Sequence, residues 1–245
     1  MGNDNRKDLF LVTPAPADSP ILAIAAHPDD IESWCAGTLV QAIDGGVALY
    51  LLLVTSGEHG SNNPHATPAS VARQREMEAQ VAAAHLGIAE VAFLRYGDGE
   101  VENTRDLRRA LVAAIRRWRP AVIFTHDPEQ PLPPYITHRD HRIVGRATLD
   151  AVYPLARDHL NFPEHAAAGL APHAVAQVWL FASRVADHYV DISAGLERKI
   201  GARLLHASQT VDGPALRVGW RKRAAAIGAP AGLDAAEAFT VLRLD

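Results

Sequence analysis

The segment VALYLLLV, residues 47–54, is an uninterrupted apolar run. A strand with one face in water alternates apolar and polar residues, whereas a strand buried on both faces does not, and such strands are typical of parallel sheets covered by helices. Shorter apolar runs lie at 21–26, 91–94, 121–125 and 175–181, with helical patterns between them. This alternation predicts the α/β class, as a Rossmann-like, mostly parallel sheet with helices on both faces.

Helical patterns fill the segments between the apolar runs, and glycines and prolines mark several of their ends. The sequence predicts a flexible, proline-rich leader at residues 1–19 and a single domain at 20–245. After the last helix it predicts an alanine-rich tail. The predicted helices span about 31–43, 70–86, 104–118, 138–153, 193–208 and 214–227, and a short sixth strand is predicted at 189–191.

The composition is that of a globular protein, and it narrows the possible partners. Of the 245 residues, 48% are apolar and 21% are charged, which supports one large core. The net charge of −4 argues against a nucleic-acid surface or an anionic membrane surface. We expect no membrane span, because no apolar run approaches about 18 residues. The single cysteine, Cys35, cannot form a disulfide within the chain, which fits a cytoplasmic location.

Polar residues that carry chemistry follow the first and fourth predicted strands. In open parallel sheets, ligands bind at the carboxyl ends of the strands where the strand order reverses, and in a Rossmann-like order that point lies between strands one and four. HPDD at 27–30 ends the first strand, and THDP at 125–128 ends the fourth. The next loop leads to THRDH at 137–141, whose two histidines are three residues apart and share a helix face.

Together these residues are sufficient for a metal site. Catalytic zinc usually takes three protein ligands from histidine and carboxylate side chains and leaves one position for water. The alternative is that the residues are helix caps: Asp29 or Asp30 would cap a helix that begins at Ile31, and Thr137 with Asp140 resembles a capping box. Their joint location at the predicted switch point favours the metal site.

Two motifs of the chain carry a family resemblance: HPDD at 27–30 and HRDH at 138–141, in this order. They closely resemble those of the PIG-L/LmbE family of metal-dependent N-deacetylases, and the resemblance covers most of the chain. It implies a Rossmann-like hydrolase that removes an N-acetyl group from an amino-sugar-type substrate. The alternative is an amidase of the same family that cleaves a larger thiol-sugar or other non-peptide amide conjugate. Shorter segments that also resemble the family are Gly37-Thr38, Ser56–Glu58, Arg75–Glu78, Gly97–Gly99, His206–Gln209 and Glu237–Phe239.

The resemblance implies the metal ligands and the base. His27, Asp30 and His141 would hold one metal ion per chain. We expect Zn²⁺, with Fe²⁺ or another divalent ion as the alternative, because histidine and aspartate ligands suit several ions. Asp29 would be the general base that deprotonates the metal-activated water and returns the proton to the leaving amine. Proton transfer of this kind typically contributes ~10²–10⁴-fold to the rate.

The resemblance also implies residues around the substrate. His138 would lie near the oxyanion of the tetrahedral intermediate, and a histidine kept cationic by Asp140 would stabilise that charge. Asp140 is also expected to orient a histidine of the metal site, because metal-bound histidines usually donate their second N–H to a carboxylate or carbonyl. Arg75, Asp98 and Tyr135 are expected to contact the substrate.

Three departures from the family pattern bear on the substrate rather than on the metal. Several members have a tyrosine two residues before the first histidine of the second motif, where this chain has Ile136, and Tyr135 lies one residue earlier. Arg139 stands where proline is commoner, and Ser33–Ala36 replaces a small, glycine-rich segment. We expect Trp34 in that segment to narrow the pocket or to contact a partner subunit.

The expected partners are a small-molecule N-acylated amino sugar or glycoside and further copies of the chain, because members of the family often form homo-oligomers. Two other functions were compared with the sequence: nucleotide binding and metal-dependent phosphoester hydrolysis. A nucleotide-binding module needs a glycine-rich turn after the first strand, and HPDDIE at 27–32 has no glycine. A metal phosphoesterase usually needs two metal ions about 3.5–4 Å apart, so two bound ions per chain would favour it.

Overall fold

The computed structural model of the protein describes residues 19–129, 137–183 and 185–244. Within those ranges the strands form one seven-stranded sheet. The strands are β1 (Ile21–Ala25), β2 (Leu49–Thr55), β3 (Glu90–Tyr96), β4 (Val122–His126), β5 (Gln177–Phe181), β6 (His188–Asp191) and β7 (Ala236–Arg243). Their order in the sheet is β3-β2-β1-β4-β5-β7-β6. β1 to β5 run parallel to one another, and β7 is antiparallel to both β5 and β6.

β1 lies between β2 and β4, where the strand order reverses. Ile21 pairs with Leu49 on one side and with Val122 on the other. The predicted α/β class and the predicted position of the switch point are therefore confirmed. The carboxyl ends of β1 and β4 lie side by side, and the motifs that follow them meet at one edge of the sheet.

Helices cover both faces of the sheet. Ile21, Ala23 and Ala25 of β1 pack into one apolar cluster, and Leu22 and Ile24 pack into the other, because successive side chains of a strand point to opposite faces. The helices are α1 (Asp30–Trp34), α2 (Ala36–Asp44), α3 (Pro68–Leu86), α4 (Arg105–Trp118), α5 (Arg139–Asp150), α6 (Glu164–Ala167), α7 (Leu196–Leu205) and α8 (Gly213–Gly228). Among the described residues, no helix is long and apolar enough to cross a membrane.

The structure corrects the sequence prediction at two places. The predicted helix at about 31–43 is two helices, because Cys35, with φ −139°, interrupts the helical backbone between α1 and α2. The predicted alanine-rich tail instead contains β7, which pairs with β5 over residues 239–243 and buries Phe239 against Phe124 and Trp179. The predicted leader lies outside the described residues except for Ser19. The single domain at 20–245 stays a prediction.

A buried carboxylate fixes β7 to the helix beside the site. Glu237 of β7 accepts hydrogen bonds from the backbone N–H groups of Gly37 and Thr38 at 3.0 and 2.8 Å, and from the Thr38 hydroxyl at 2.6 Å. Lys199 Nζ lies 2.5 Å from the same carboxylate. A side chain at position 37 would place its Cβ 2.8 Å from Ile192, so only glycine permits this close approach.

We predict that Glu237→Ala destabilises the protein by about 3–5 kcal/mol, because it leaves the Lys199 ammonium buried without its counter-charge. Glu197→Ala is the control, since Glu197 forms exposed ion pairs with Arg217 and Arg221, and pairs of that kind contribute little. Urea unfolding monitored by circular dichroism measures both changes. Equal losses in the two variants would contradict the structural role of Glu237.

Candidate metal and active site

The loop after β1 carries a histidine with carboxylates around both ring nitrogens. His27 is 7% exposed. Its Nδ1 lies 3.2 Å from His141 Nε2 and 3.6 Å from Asp30 Oδ2. Its Nε2 lies 3.1 Å from Asp98 Oδ1 and 3.4 Å from Asp140 Oδ2. The two sides of one imidazole therefore face two different sets of side chains.

Asp30 connects the ends of β1 and β4. Its Oδ1 lies 3.1 Å from His141 Nε2. Its Oδ2 lies 3.1 Å from His126 Nε2 and also accepts a hydrogen bond from the backbone N–H of His27 at 2.8 Å. His126 is fully buried at the end of β4, and its ring stacks on that of His141 with centroids 4.1 Å apart. The Asp30 side chain is thus directed to histidines, and the alternative that it serves as a helix cap is wrong.

Asp29 is held by two guanidinium groups. Arg75 Nη2 lies 3.3 Å from Asp29 Oδ1, and Arg203 Nη2 lies 3.4 Å from Asp29 Oδ2. The backbone of Asp29 has φ 90°, a left-handed conformation that is uncommon outside glycine and that aspartate adopts more readily than most residues. This conformation separates the Asp29 carboxylate from that of Asp30, so that the two serve different partners.

Arg75 is buried and most of its hydrogen-bonding groups are used within the protein. It donates to the carbonyl oxygens of Gly57 at 2.9 Å and of Pro28 at 2.7 Å, besides its contact with Asp29. A Cβ at position 57 would lie 2.1 Å from Arg75 Nη1, so glycine is required there. The geometry gives Arg75 a positioning role toward Asp29, and its contact with substrate stays a prediction.

The second motif begins at the N-terminus of α5. His138, not Thr137, occupies the capping position, and its Nδ1 accepts a hydrogen bond from the backbone N–H of Asp140 at 3.2 Å. The capping-box alternative is therefore wrong. Asp140 is fully buried and its Oδ2 accepts a hydrogen bond from the Gly99 N–H at 2.7 Å.

The ionisation of His138 differs from the expected cationic form. Burial and the charges of His27 and His141 lower its pKa, and these effects outweigh Asp140, whose Oδ2 is 4.0 Å from His138 Nδ1. Because Nδ1 accepts a hydrogen bond, the neutral ring carries its proton on Nε2. His138 is thus a neutral donor at the edge of the site.

The charges of the site favour a bound cation. Burial lowers the pKa of His27, but contacts with Asp140, Asp30 and Asp98 outweigh it and hold that pKa well above the ordinary value. Burial raises the pKa of Asp98, yet His27 and neighbouring donors bring it down to about 2. Burial likewise raises the pKa of Asp30, which His141 and His126 hold well below the usual range. Clustered carboxylates that retain a proton on histidine form an environment suited to a metal ion.

Two overlapping groups of side chains have the spacing that a metal ion requires. In each group the ligand atoms all lie within 4.8 Å of one another. His27 belongs to both groups, and histidine with carboxylate is a common donor set for divalent ions. One group is His27, Asp30 and His141, and the other is His27, Asp98, His138 and Asp140.

A polar pocket of about 390 Å³ lies over these groups. Asp98 borders it and accepts a hydrogen bond from the His59 N–H at 3.1 Å, while the Asp98 N–H donates to Glu58 at 2.9 Å. The structure therefore brings together all the predicted site residues that it describes. Tyr135 lies outside the described residues. The pocket is lined by His27, Asp29, Asp30, His59, Gly60, Arg75, Asp98, Gly99, His138, His141 and Gln209.

Sequence analysis found no signal for Arg203 and assigned no role to His206. Arg203 lies in α7, where it had no motif to mark it, and it reaches Asp29 only through the packing of α7 against α1. His206 is fully buried with its Nε2 3.3 Å from Glu32 Oε1. Its neighbour Gln209 donates to the carbonyl oxygen of Gly60 at 2.9 Å. The resemblance of the His206–Gln209 segment was the available signal for this region.

Comparisons with known proteins identify the family to which the chain is similar. Residues 22–152 match the model of the PIG-L family, described as GlcNAc-PI de-N-acetylase. The diacetylchitobiose deacetylase of Thermococcus kodakarensis is 32% identical over 189 residues, which cover 77% of this chain and 69% of that protein. A probable N-acetyl-alpha-D-glucosaminyl L-malate deacetylase of Bacillus anthracis is 33% identical over 138 residues, 54% of this chain and 58% of that protein.

Among solved structures, the N,N'-diacetylchitobiose deacetylase of Pyrococcus horikoshii, complexed with its inhibitor MPG, superposes with a TM-score of 0.86. The sequences are 26% identical, and the alignment covers 92% of this chain and 85% of that chain. The structural likeness therefore covers much more of the chain than residues 22–152, which match the family model.

We predict that the stability of the metal-free protein falls as the pH is lowered from 6.5 toward 4, and that His126 accounts for part of the fall. Burial and the nearby His141 lower the pKa of His126 to about 4. In the unfolded chain, a histidine with a pKa of about 6.5 takes up a proton in this pH range, whereas His126 in the folded protein does not. This difference lowers the free energy of unfolding by up to ~3 kcal/mol.

Urea unfolding at pH 7 and pH 4.5, with a chelator present, measures this effect. His126→Gln is expected to show a smaller pH dependence than the wild type, whereas a His65→Gln control on an exposed loop keeps the full dependence. An unchanged pH dependence in His126→Gln would contradict the lowered pKa.

Proposed function

Because the chain belongs to the PIG-L family of GlcNAc-PI de-N-acetylases, we propose that it is a metal-dependent hydrolase that removes an N-acyl group from an amino-sugar-type substrate. The observation that carries this proposal is the meeting of His27, Asp30 and His141 beside Asp29, a second carboxylate held by other partners. A metal-dependent amide hydrolase needs both parts, a ligand set for the ion and a base beside it.

The surroundings of His27 support a proposal for which of the two groups holds the ion. Its Nδ1 lies toward Asp30 and His141, and its Nε2 lies toward Asp98 and Asp140. Metal-bound histidines usually direct their second nitrogen to a carboxylate, which fixes the ring and raises its basicity. We therefore assign His27, Asp30 and His141 as ligands, with Asp98 and Asp140 orienting His27. Zinc is the proposed ion, one per chain.

Asp29 is proposed as the general base. A divalent ion held by His27, Asp30 and His141 would acidify water and polarise a carbonyl oxygen. Burial raises the pKa of Asp29 and Asp30 adds to this, while Arg75 and Arg203 act against it, so the carboxylate is more basic than an ordinary aspartate. It accepts the proton of the attacking water and returns it to the nitrogen of the amide. The C–N bond then breaks to give a carboxylic acid and a free amine.

His138 is proposed to stabilise the oxyanion. Its Nδ1 is occupied by the Asp140 N–H, so the Nε2–H of the neutral ring is the available donor. Its side chain is 46% exposed, which leaves it accessible to substrate at the edge of the polar pocket. A preorganised donor at such a position is worth about 10²–10³-fold in rate by analogy with other oxyanion sites.

The polar pocket supplies the groups that a sugar requires. Asp98, His59 and Gln209 border it, and together they offer acceptors and donors suited to hydroxyl groups. We propose Asp98 and Arg75 as substrate contacts on this basis, with Arg75 acting also through Asp29. Tyr135 is proposed from the resemblance alone. A cytoplasmic location and a homo-oligomeric state are likewise proposals.

We predict that Asp29→Asn lowers kcat about 10²–10⁴-fold while the protein keeps its metal, because the variant removes the base and none of the three assigned ligands. Acetate release from N-acetylglucosamine-type substrates measures the rate, and Asp106→Asn, an exposed change on α4, is the control. Full activity in Asp29→Asn would contradict the assigned role.

Product analysis separates the deacetylase from the alternative amidase. The deacetylase releases acetate, whereas an amidase that cleaves a thiol-sugar or other conjugate releases a larger acid together with the same class of amine. The enzyme is incubated with a mixture of the two substrate types, and mass spectrometry identifies which acid is released. Acetate alone supports the deacetylase, and the larger acid alone supports the amidase.

A further inference from the structure

A second cavity adjoins the polar pocket and has a different chemistry. Its volume is about 650 Å³, and it shares His138 and His141 with the polar pocket. Pockets that hold whole small-molecule ligands have volumes of about 300–1,000 Å³. The methyl group of an acetyl substituent would leave most of this space unused.

The walls of this apolar cavity offer few groups to a polar ligand. Trp34 and Trp220 supply aromatic surface, and Ile227 and five alanines supply much of the rest. Glu237 and Lys199 also border it, but they are bonded to one another, and Glu237 accepts three further hydrogen bonds from α2. The guanidinium carbon of Arg223 lies 4.1 Å from the ring centroid of Trp34. The five alanines are at positions 182, 224, 226, 236 and 238.

The shape of an amide relates the two spaces. A secondary amide is trans, because the cis form costs about 2.5 kcal/mol or more, so its two substituents extend in opposite directions from the reacting carbonyl. When the carbonyl lies at His138 and His141, one substituent extends into the polar pocket and the other into the apolar cavity. A sugar, with its hydroxyl groups, fits the polar pocket, which leaves the apolar cavity to the acyl side.

We propose that the apolar cavity, bordered by Trp34, Trp220 and Ile227, binds the acyl substituent of the amide. The preferred substrate class is thus an amino sugar whose N-acyl group is longer than acetyl. This inference rests on the proposed hydrolase function. Water adds its oxygen to the acyl carbon, the C–N bond breaks, and the products are a fatty or aryl carboxylate and the free amino sugar.

The test compares substrates that differ only in where the apolar group is attached. N-acetyl-, N-butyryl-, N-hexanoyl- and N-octanoyl-glucosamine lengthen the acyl side, and the octyl glycoside of N-acetylglucosamine lengthens the amine side. With zinc-loaded wild-type enzyme, kcat/KM is expected to rise at least tenfold from acetyl to octanoyl, since each methylene buried in an apolar pocket favours binding. The octyl glycoside is expected to gain less than threefold.

Two substitutions that fill the cavity accompany the series. Ala226→Trp on α8 and Ala238→Phe on β7 place large side chains at the cavity wall. Ala226 is exposed but borders the cavity, and Ala238 is half-buried, so its new ring stays inside. Both should remove the preference for octanoyl and keep the activity on acetyl. Ala225→Trp is the matched control, because Ala225 is an exposed neighbour on the same helix and does not border the cavity.

The outcomes separate the two proposals. Release of acid from the acetyl substrate alone, with falling rates for longer chains, overturns the acyl-cavity inference and leaves the hydrolase function standing. A gain confined to the octyl glycoside overturns the inference by placing the amine side in the cavity. The acyl-cavity inference is also overturned if both Ala226→Trp and Ala238→Phe still prefer the octanoyl substrate. Failure of every substrate, with metal bound, overturns the hydrolase function itself.

Discussion

The placement of one buried imidazole between two sets of polar side chains is the constraint on which the site depends. His27 follows the central strand β1 and is 7% exposed, so its ring has little freedom. Its Nδ1 lies toward Asp30 and His141, and its Nε2 lies toward Asp98 and Asp140. A ring held on both sides presents a lone pair in one fixed direction, which is what a preorganised metal ligand requires.

The neighbouring aspartates have different roles because different partners hold them. Asp30 is enclosed by His126, His141 and the His27 backbone, and these contacts keep its pKa low. Asp29 turns away through a backbone with φ 90° and meets Arg75 and Arg203, while burial raises its pKa. Environments that move the pKa values of adjacent groups in opposite directions are typical of sites that need a ligand and a base together. The chemistry thus depends on tertiary contacts from α3 and α7 as much as on the motif itself.

The sequence alone predicts the parts of this protein that local pattern determines. β1 to β5 are apolar runs, and the order of strand and helix fixes the switch point, so the meeting of HPDD and HRDH follows from topology. β7 escaped prediction because AEAFTVLR becomes a strand only through non-local pairing with β5 and β6. Arg203 escaped because no local signal marks a helical arginine that reaches Asp29 through the packing of α7. Burial and the charges of His27 and His141 lower the pKa of His138 and so disfavour the expected cationic form, and only tertiary contacts place those groups beside it.

The position of the metal ion is tested by the metal content per chain of the wild type, His141→Ala and His138→Ala, measured by plasma mass spectrometry after loading with zinc and dialysis. The two histidines belong to different candidate groups that share His27. We expect about one ion per chain in the wild type, loss of that ion in His141→Ala and its retention in His138→Ala. Retention in His141→Ala with loss in His138→Ala would place the ion among Asp98, His138 and Asp140 and contradict the assigned ligands.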